Sequence, residues 1–398
     1  MAGPEPGPLP WRRLLWVAAA GLAVAGVLLA LQFVRLAHNH LGSDPTAPFF
    51  VGTAWHLDEE LAARGIRATV TSGNGYDGQW FLGLANDPLL RGHLAAGFDM
   101  PRYRARRPLF AMAGWLLSAG RPAAVPVALL AVELLAVAAG CAAAGRVAAA
   151  HGRSRWWGLG FVAVPGVAVG VMFGTAEPLG LALAAVGLSL ALDRRFAAAG
   201  LAMAGAGLTK ETYLGFGAAA AIWLLARPVG GVRGVRERLR PAVTVLAPGV
   251  ALLASWWWYV ARMLPASTRD AGLEALSPPL VGWAHTLART ARGGYVADAP
   301  VGALGPAALV AMFALLVAAV LLTLRARTLM DWTGLLMGCY GLMIAGTLLD
   351  RFLSATRALA PCVLGAGLAL LAARPVVPVV SAVPMESAEG ACRVHDPG

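Results

Sequence analysis

The chain has 398 residues, of which 58% are hydrophobic and 13% are charged, and its mean hydropathy is +0.67. This composition excludes both a soluble domain of that length and a disordered chain. The net charge of +11 would suggest a nucleic-acid partner in a soluble protein. Here basic residues in short loops explain it better, because they orient membrane proteins and meet anionic lipid heads. We therefore expect an all-α, polytopic transmembrane bundle that contacts membrane lipids and binds no nucleic acid.

The first apolar segment follows Arg12 and Arg13 and runs for about twenty residues, which is the length of a spanning helix. No convincing cleavage site follows it, so we expect a retained signal anchor with a cytoplasmic N-terminus. Later apolar segments bring the predicted total to about ten spans, the other nine lying at 123–145, 156–175, 178–192, 196–209, 212–226, 242–263, 301–324, 329–349 and 352–373.

With a cytoplasmic N-terminus, successive loops lie alternately on the outer and the cytoplasmic side of the membrane. The distribution of arginines supports this assignment. The predicted cytoplasmic loops "RVAAAHGRSR", "DRR", "RPVGGVRGVRERLR" and "RAR" each carry at least two arginines, whereas the short outer loops "GTAEP" and "LLDR" are nearly free of basic residues. Segment 108–119 is too short to span the membrane. Counting it as a span would move every later loop to the opposite side and place the arginine-rich loops outside. It is therefore predicted to be an interfacial or re-entrant helix on the outer face.

Two outer segments are long, at 37–107 and 264–300. The second has apolar residues at helical spacing around Trp283, which favours an amphipathic interfacial helix. Residues 1–373 are thus expected to form one membrane domain, and the polar tail 374–398 to be disordered in the cytoplasm. Arginine dominates the basic residues and Lys210 is the only lysine, a usage typical of a GC-rich, bacterial genome.

The most informative polar stretch is "GYDGQWFL", residues 75–82, in the first outer loop. Glycines at 73, 75 and 78 permit tight turns and close approach of a ligand. The apolar run that follows predicts a short helix on or in the bilayer, with Asp77 at the outer interface. Two interpretations remain open from the residues alone: a turn aspartate that caps this helix, and a functional carboxylate.

Four short motifs resemble those of the GT-C superfamily of polytopic glycosyltransferases, which use lipid-phosphate-linked sugars. "YDGQWFLGLANDP" is similar to the superfamily's first-outer-loop signature, and "RYRARRPL" to the arginine-rich segment that follows it. "GTAEPL" and "GLTKETYL" are similar to two further stretches on the same side. The resemblance implies a GT-C-like fold in a bacterial plasma membrane, with an active site on the outer face.

The implied activity is transfer of a hexose such as mannose from a polyprenyl-phosphate carrier to an envelope glycan, a glycolipid or a protein. Asp77 would be the general base that removes the acceptor's proton, and a positioned base contributes about 10²–10⁴-fold. Tyr76 and Gln79 in the same motif would contact substrate. No cofactor is required with certainty, but some relatives hold a divalent metal near the base. Asp58, Glu59 and Asp87 are the candidates, with solvated loop charges the favoured interpretation of the first two.

The outer arginines are not explained by topology, because the positive-inside rule disfavours them there. Arginine suits bidentate phosphate contact, so donor-phosphate binding is predicted for Arg102, Arg104, Arg106 and Arg107. Ordinary anionic lipid heads are the alternative ligand. Tyr103 between them would stack on a sugar or anchor in the interface, and we favour the anchor.

Further charges lie at predicted outer helix ends, where charged groups tend to be paired or functional. We expect Lys210 to contact phosphate and Glu177 and Glu211 to contact substrate, with a local Lys210–Glu211 pair as the alternative. The superfamily often has an arginine near the start of the last span. Arg351 or Arg357 is therefore predicted to face the phosphate, with a salt bridge at the helix start as the alternative.

One carboxylate, Glu133, lies in the middle of a predicted span and needs a partner inside the bundle. A packing hydrogen bond is favoured over a proton relay. The histidines at 56, 93 and 285 are isolated and no cysteine has ligand spacing, so no metal site is predicted. The rival functions are a secondary transporter or lipid flippase, which would show inverted repeats and mid-membrane charges, and a non-catalytic scaffold for envelope assembly.

Overall fold

The computed structural model describes residues 11–92, 94–226, 231–266, 276–293, 304–324 and 327–373. The described residues are 77% helical with almost no strand, which confirms the all-α membrane fold. The helices are α1 Trp11–His38, α2 Leu57–Ala62, α3 Gly78–Asn86, α4 Pro101–Ala105, α5 Leu109–Leu117, α6 Val125–Ala150, α7 Pro165–Phe173, α8 Glu177–Leu192, α9 Phe196–Thr209, α10 Leu214–Leu225, α11 Gly231–Met263, α12 Val281–Ala291, α13 Leu304–Thr323, α14 Leu329–Leu342, α15 Gly346–Leu349 and α16 Phe352–Ala372.

Within these ranges, five helices are long and apolar enough to cross a membrane, namely α1, α6, α11, α13 and α16. A sixth crossing is possible by length if a 3₁₀ segment, Arg155–Phe161, and α7 are counted together, although they meet at a bend of 57°. Helices α8, α9 and α10 are apolar but shorter. The protein is therefore a membrane-spanning helical bundle.

Two predicted boundaries differ from the observed ones. The segment "RPVGGVRGVRERLR" was expected to be a loop, yet α11 begins at Gly231 and continues to Met263 despite prolines at 241 and 248. The predicted span 329–349 breaks after Leu342, and only the four-residue α15 follows before α16. Residues 235–240 at the start of α11 are mostly exposed and rich in charge, so hydropathy averaged along the sequence does not show that the helix extends beyond its apolar part.

Close helix packing depends on glycines, as is usual between membrane helices. A Cβ on Gly200 would lie 2.2 Å from the Thr244 carbonyl oxygen of α11, and one on Gly140 would lie 2.3 Å from the Phe161 ring. One on Gly166 would lie 2.4 Å from Cβ of Ala360, so α7 rests directly on α16. The Gly166 contact thus places α16, which carries Arg357, directly against α7.

The segment 37–107, which was predicted to lie on the outer side, folds into a compact layer around α3. Strands β1 Val51–Gly52 and β2 Val70–Thr71 pair in parallel, and the backbone N–H of Tyr76 donates to the carbonyl of Phe50. Every residue of α3 from Gly78 to Ala85 is buried. This helix was predicted to lie on or in the bilayer, but its apolar faces pack against protein instead.

Helix α5 at Leu109–Leu117 agrees with the short helix predicted at 108–119. Helix α12 was expected to be interfacial, yet Trp283 is 1% exposed and donates from Nε1 to the Gly341 carbonyl at 2.8 Å. Trp283 on its apolar face therefore packs on α13 and α14, whereas Val281 at the start of the helix is exposed. The predicted tail 374–398 lies outside the described residues.

Candidate functional site

Asp77 occupies the position immediately before α3, but its side chain makes no capping hydrogen bond to that helix. Its carboxylate instead accepts from Arg104 Nη1 at 2.9 Å through Oδ1 and from Arg357 Nη1 at 2.5 Å through Oδ2. The helix-capping alternative is therefore not what the structure has. Both carboxylate oxygens point at arginines that come from other elements.

The glycines of the motif bring Asp77 into this position. Gly75 has φ +68°, a left-handed conformation that disfavours side chains, and it precedes the turn at Tyr76. A Cβ on Gly78 would lie 2.3 Å from the carbonyl oxygen of Phe173 at the end of α7. The start of α3 thus lies directly against the segment that leads to Glu177.

Arg104 is held from both sides. Its Nε and Nη2 atoms donate to the two oxygens of Asp99 at 2.9 and 2.8 Å, while Nη1 donates to Asp77. Its guanidinium also lies 5.4 Å from the ring centroid of Trp80. Asp99 was not singled out by the sequence analysis, although it comes just before "RYRARRPL". This bidentate pair fixes the plane of the arginine and hence the direction of its remaining donor.

Arg357 joins Asp77 to the membrane bundle. Its Nε donates to Glu177 Oε1 at 2.9 Å, and its guanidinium lies 5.5 Å from the Tyr76 ring centroid. Glu177 is 2% exposed and also accepts from Lys210 Nζ at 3.3 Å. Lys210 thus pairs with Glu177 rather than with its neighbour in sequence, contrary to the local-pair alternative.

A second ion pair lies beside this chain of charges. Arg107 donates from Nε and Nη2 to the two oxygens of Glu211 at 3.1 and 2.9 Å, and from Nη2 to the Tyr103 hydroxyl at 2.9 Å. The Tyr103 ring also lies 4.7 Å from the Arg107 guanidinium. Tyr103 is therefore held by arginine within the cluster, which differs from the interfacial anchor that we favoured.

The cluster is electrically balanced. Four cations, Arg104, Arg107, Lys210 and Arg357, face four carboxylates, Asp77, Asp99, Glu177 and Glu211. Burial alone would raise the pKa of Asp77, but the charges of Arg357 and Arg104 outweigh it and hold that pKa well below its usual range. In this arrangement Asp77 is ionised and is a weak base.

The space beside Asp77 is small. A cavity of about 10 Å³ is lined by Asp77, Trp80, Phe81, Arg104, Arg107 and Arg357, which is roughly the room that one water needs. A sugar phosphate does not fit unless the arginines or the carboxylate move. The described conformation is thus a closed one.

Several residues predicted to bind substrate have other contacts. Arg102 donates to the carbonyls of Leu264 and Ala261 at the end of α11, and Arg106 stacks 5.0 Å from the Trp257 ring centroid. The Gln79 amide links two backbone segments and is 1% exposed. These three side chains hold the site in place from outside the ion-pair cluster. Arg351, also predicted to face the phosphate, is exposed at the start of α16.

The proposed metal ligands do not gather around Asp77. Asp87 accepts from the backbone N–H groups of Arg91 and Gly92, both at 2.9 Å, and so stabilises a turn. Glu59 pairs with His56 at 3.0 Å. In the described part of the chain, no group of three or more His, Cys, Asp or Glu side chains is placed to hold a metal ion. The residues present therefore do not fit a metal beside Asp77.

Glu133 is fully buried in α6, as its sequence position suggested. Its carboxylate makes no hydrogen bond of ordinary geometry in the described part of the chain, but it interacts with the backbone of Thr175. The Thr175 side chain in turn interacts with Glu177. Thr175 thus lies between the Glu133 carboxylate and the ion-pair cluster.

Comparison of the chain with protein-family models, curated proteins and solved structures finds no match.

Proposed function

We propose that the protein is a membrane glycosyltransferase that moves a hexose from a polyprenyl-phosphate carrier to an acceptor on the outer face of the plasma membrane. The observation that carries this proposal is the Asp77 carboxylate held between Arg104 and Arg357 at one end of a membrane bundle. A carboxylate next to arginines is what a transfer needs when the leaving group is a phosphate and the attacking group is a hydroxyl.

The arginines would bind the donor. A phosphate group offers planar arginines the same bidentate geometry as a carboxylate does. It can therefore compete with Asp77 for Arg104 and Arg357, and with Glu211 for Arg107. The neutral balance of the closed cluster means that a bound phosphate must displace a carboxylate rather than fill an unpaired positive site.

This exchange would also activate the base. With both arginines on Asp77 its pKa is too low for efficient proton abstraction. Once the phosphate takes the arginines, Asp77 loses two favourable charges and gains an unfavourable one, and its pKa rises. Binding of the donor would thus produce a competent base only when the sugar is in place.

The transfer itself needs one base. The acceptor hydroxyl gives its proton to Asp77 while its oxygen forms a bond to the anomeric carbon. The bond from that carbon to the phosphate oxygen breaks, and the lipid phosphate leaves with the electron pair. Arg104, Arg107 and Arg357 stabilise the charge that develops on this leaving group, an electrostatic contribution that is large in a desolvated site.

The proposed topology has about ten spans with a cytoplasmic N-terminus, and counts the short helices α8, α9 and α10 as crossings within the bundle. It is supported by the grouping of the charges. Asp77, Glu177, Lys210 and Arg357 come from segments that alternation assigns to the outer face, and they meet at one place. The GT-C likeness of the four motifs remains part of the proposal.

A secondary transporter or flippase is a second candidate, since Glu133 is a fully buried carboxylate inside a spanning helix, with no cation paired to it among the described residues. Membrane vesicles containing wild type or Asp77→Asn at matched levels, supplied with a panel of polyprenyl-phosphate sugars, separate the two. Released lipid phosphate and glycosylated product with wild type, both lost in Asp77→Asn, support the transferase. Movement of the intact lipid-linked sugar across the bilayer without cleavage would favour the transporter.

A further inference from the structure

A second cavity of about 190 Å³ lies in the outer layer, between α2 and the 3₁₀ helix Leu94–Gly97. Its walls include two aromatic rings, two carboxylates, an imidazole and one glycine, from Trp55, Phe98, Glu59, Glu60, His56 and Gly97. It is far larger than the space of about 10 Å³ beside Asp77. None of these residues belongs to the ion-pair cluster.

Three aromatic rings lie between this cavity and the Asp77 cavity. Trp80 lines the Asp77 cavity, and its centroid lies 4.9 Å from that of Phe98 and 6.0 Å from that of Trp55, both in the wall of the larger cavity. The Arg104 guanidinium also lies 5.4 Å from the Trp80 centroid. The two cavities are therefore neighbours on either side of this aromatic cluster.

The lining favours a neutral, hydroxyl-rich ligand. Aromatic rings present an apolar face with a defined edge, and carboxylates accept several hydrogen bonds each from hydroxyl donors. His56 engages Oε1 of Glu59, and Arg64 engages Oε2 of Glu60, so each carboxylate keeps lone pairs for further donors. Two carboxylates at the wall also disfavour an anionic ligand such as the donor phosphate.

We propose that this cavity binds a sugar unit of the acceptor, and hence that the acceptor is a neutral glycan rather than an unglycosylated protein or a lipid headgroup. The inference rests on the proposed transferase function, because it names the substrate that meets the donor at Asp77. The sugar stacks against the Trp55 side of the cavity, and its hydroxyls donate to Glu59 and Glu60.

A substitution at Gly97 tests the cavity, because this residue lies in its wall. A Cβ built there meets no atom within 4 Å, and its backbone does not require glycine. Gly97→Leu therefore adds a large side chain to the wall of the cavity without straining the fold. The double variant Glu59→Gln/Glu60→Gln removes the charges, and Asp58→Asn is the matched control, because Asp58 lies on the same short helix but does not line the cavity.

The test uses full-length protein in nanodiscs and a panel of neutral disaccharides, mannobiose, cellobiose and maltose, each carrying a photoreactive diazirine. Saturable labelling of wild type is expected, with cross-linked peptides mapping to residues 55–60 and 94–98. Gly97→Leu should weaken binding by about tenfold or more, the double glutamine variant by about three- to tenfold, and Asp58→Asn by less than about twofold.

Absence of saturable binding for every disaccharide, or labels that map elsewhere, would overturn the inference. Unchanged disaccharide binding by a Gly97→Leu variant that elutes as a folded protein would also overturn the inference. Cleavage of the donor with transfer to water is measured in parallel and needs no acceptor. Donor cleavage that depends on Asp77, together with no sugar binding, refutes this inference alone. Mapped sugar binding without donor cleavage keeps the cavity as a glycan site and refutes the transferase.

Discussion

Asp77 and Arg357 are 280 positions apart in the sequence, yet Arg357 Nη1 donates directly to Asp77 Oδ2. The same guanidinium donates from Nε to Glu177, so one side chain links the layer around α3 to the membrane bundle. Arg357 is 8% exposed. Because removing one partner of a buried ion pair leaves the other charge uncompensated, this residue should govern both the stability and the closed state of the site.

Arg357→Ala should destabilise the protein by about 3–5 kcal/mol, since Glu177 would remain buried with Lys210 as the only cation that donates to it among the described residues. The measurement is thermal unfolding in detergent. Arg351→Ala is the matched control, because Arg351 is exposed at the start of the same helix, and it should change stability by no more than about 0.5 kcal/mol. Equal effects of the two substitutions would refute the bridging role.

The pH dependence of stability should report Asp77. Its pKa in the folded protein is lowered by Arg357 and Arg104, so the ion pairs contribute stability at every pH above the unfolded value of about 3.9. That contribution is lost only as the pH falls from there through the folded pKa. The Tm difference between wild type and Asp77→Asn should thus stay constant from about pH 8 to pH 5.

Below about pH 4 this difference should shrink, because protonation of Asp77 makes wild type resemble the asparagine variant. The measurement is the Tm of wild type and of Asp77→Asn by scanning calorimetry, from about pH 8 to below about pH 4. A difference that vanishes already near pH 6 would mean that the Asp77 carboxyl is not held by the two arginines.

The roles of the arginines in "RYRARRPL" show what the sequence could and could not predict. Arg104 and Arg107 are three residues apart and both reach the cluster, whereas Arg102 and Arg106 are four apart and face α11. Helical spacing was available in the sequence and would have separated the two sets. The sequence does not show which pair of arginines faces the carboxylates, because that depends on contacts with distant segments.

The same limit applies to the fold. Hydropathy predicted the helical class, the short helix near 108–119 and most of the apolar segments, because each depends on local composition. It misplaced the start of α11 and the break after Leu342, and it assigned α3 to lipid when α3 is covered by protein. The sequence pointed to Asp77 through its motif and to Arg351 or Arg357 through the GT-C resemblance, but the pairing of Asp77 with Arg357 comes only from the structure.

Gly78→Ala tests the placement of Asp77 by α3. Its Cβ would lie 2.3 Å from the Phe173 carbonyl oxygen, a backbone atom that cannot move alone. We expect a loss of about 1–3 kcal/mol together with lower donor turnover, since α3 must shift and takes Asp77 with it. Gly160→Ala is the control, as a Cβ there meets nothing within 4 Å, and an equal loss in both would contradict the account.

Asp99→Asn tests whether Asp99 positions Arg104. The two hydrogen bonds at 2.9 and 2.8 Å fix the guanidinium plane, so weakening them should raise the KM for the lipid-linked sugar more than it lowers kcat. The expected rise is about three- to tenfold, from loss of one charge-assisted interaction. Asp58→Asn, which makes the same charge change on the nearby α2, should leave KM within about twofold. A selective fall in kcat would instead assign Asp99 to the chemical step.

The most direct test of the account is the rate of polyprenyl-phosphate release from a lipid-linked hexose by wild type, Asp77→Asn and Asp58→Asn at saturating donor and acceptor. A general base predicts that Asp77→Asn lowers kcat by about 10²–10⁴-fold while the donor still binds, and that Asp58→Asn is within about twofold of wild type. Release by Asp77→Asn at the wild-type rate would contradict the central claim and remove Asp77 from the chemistry.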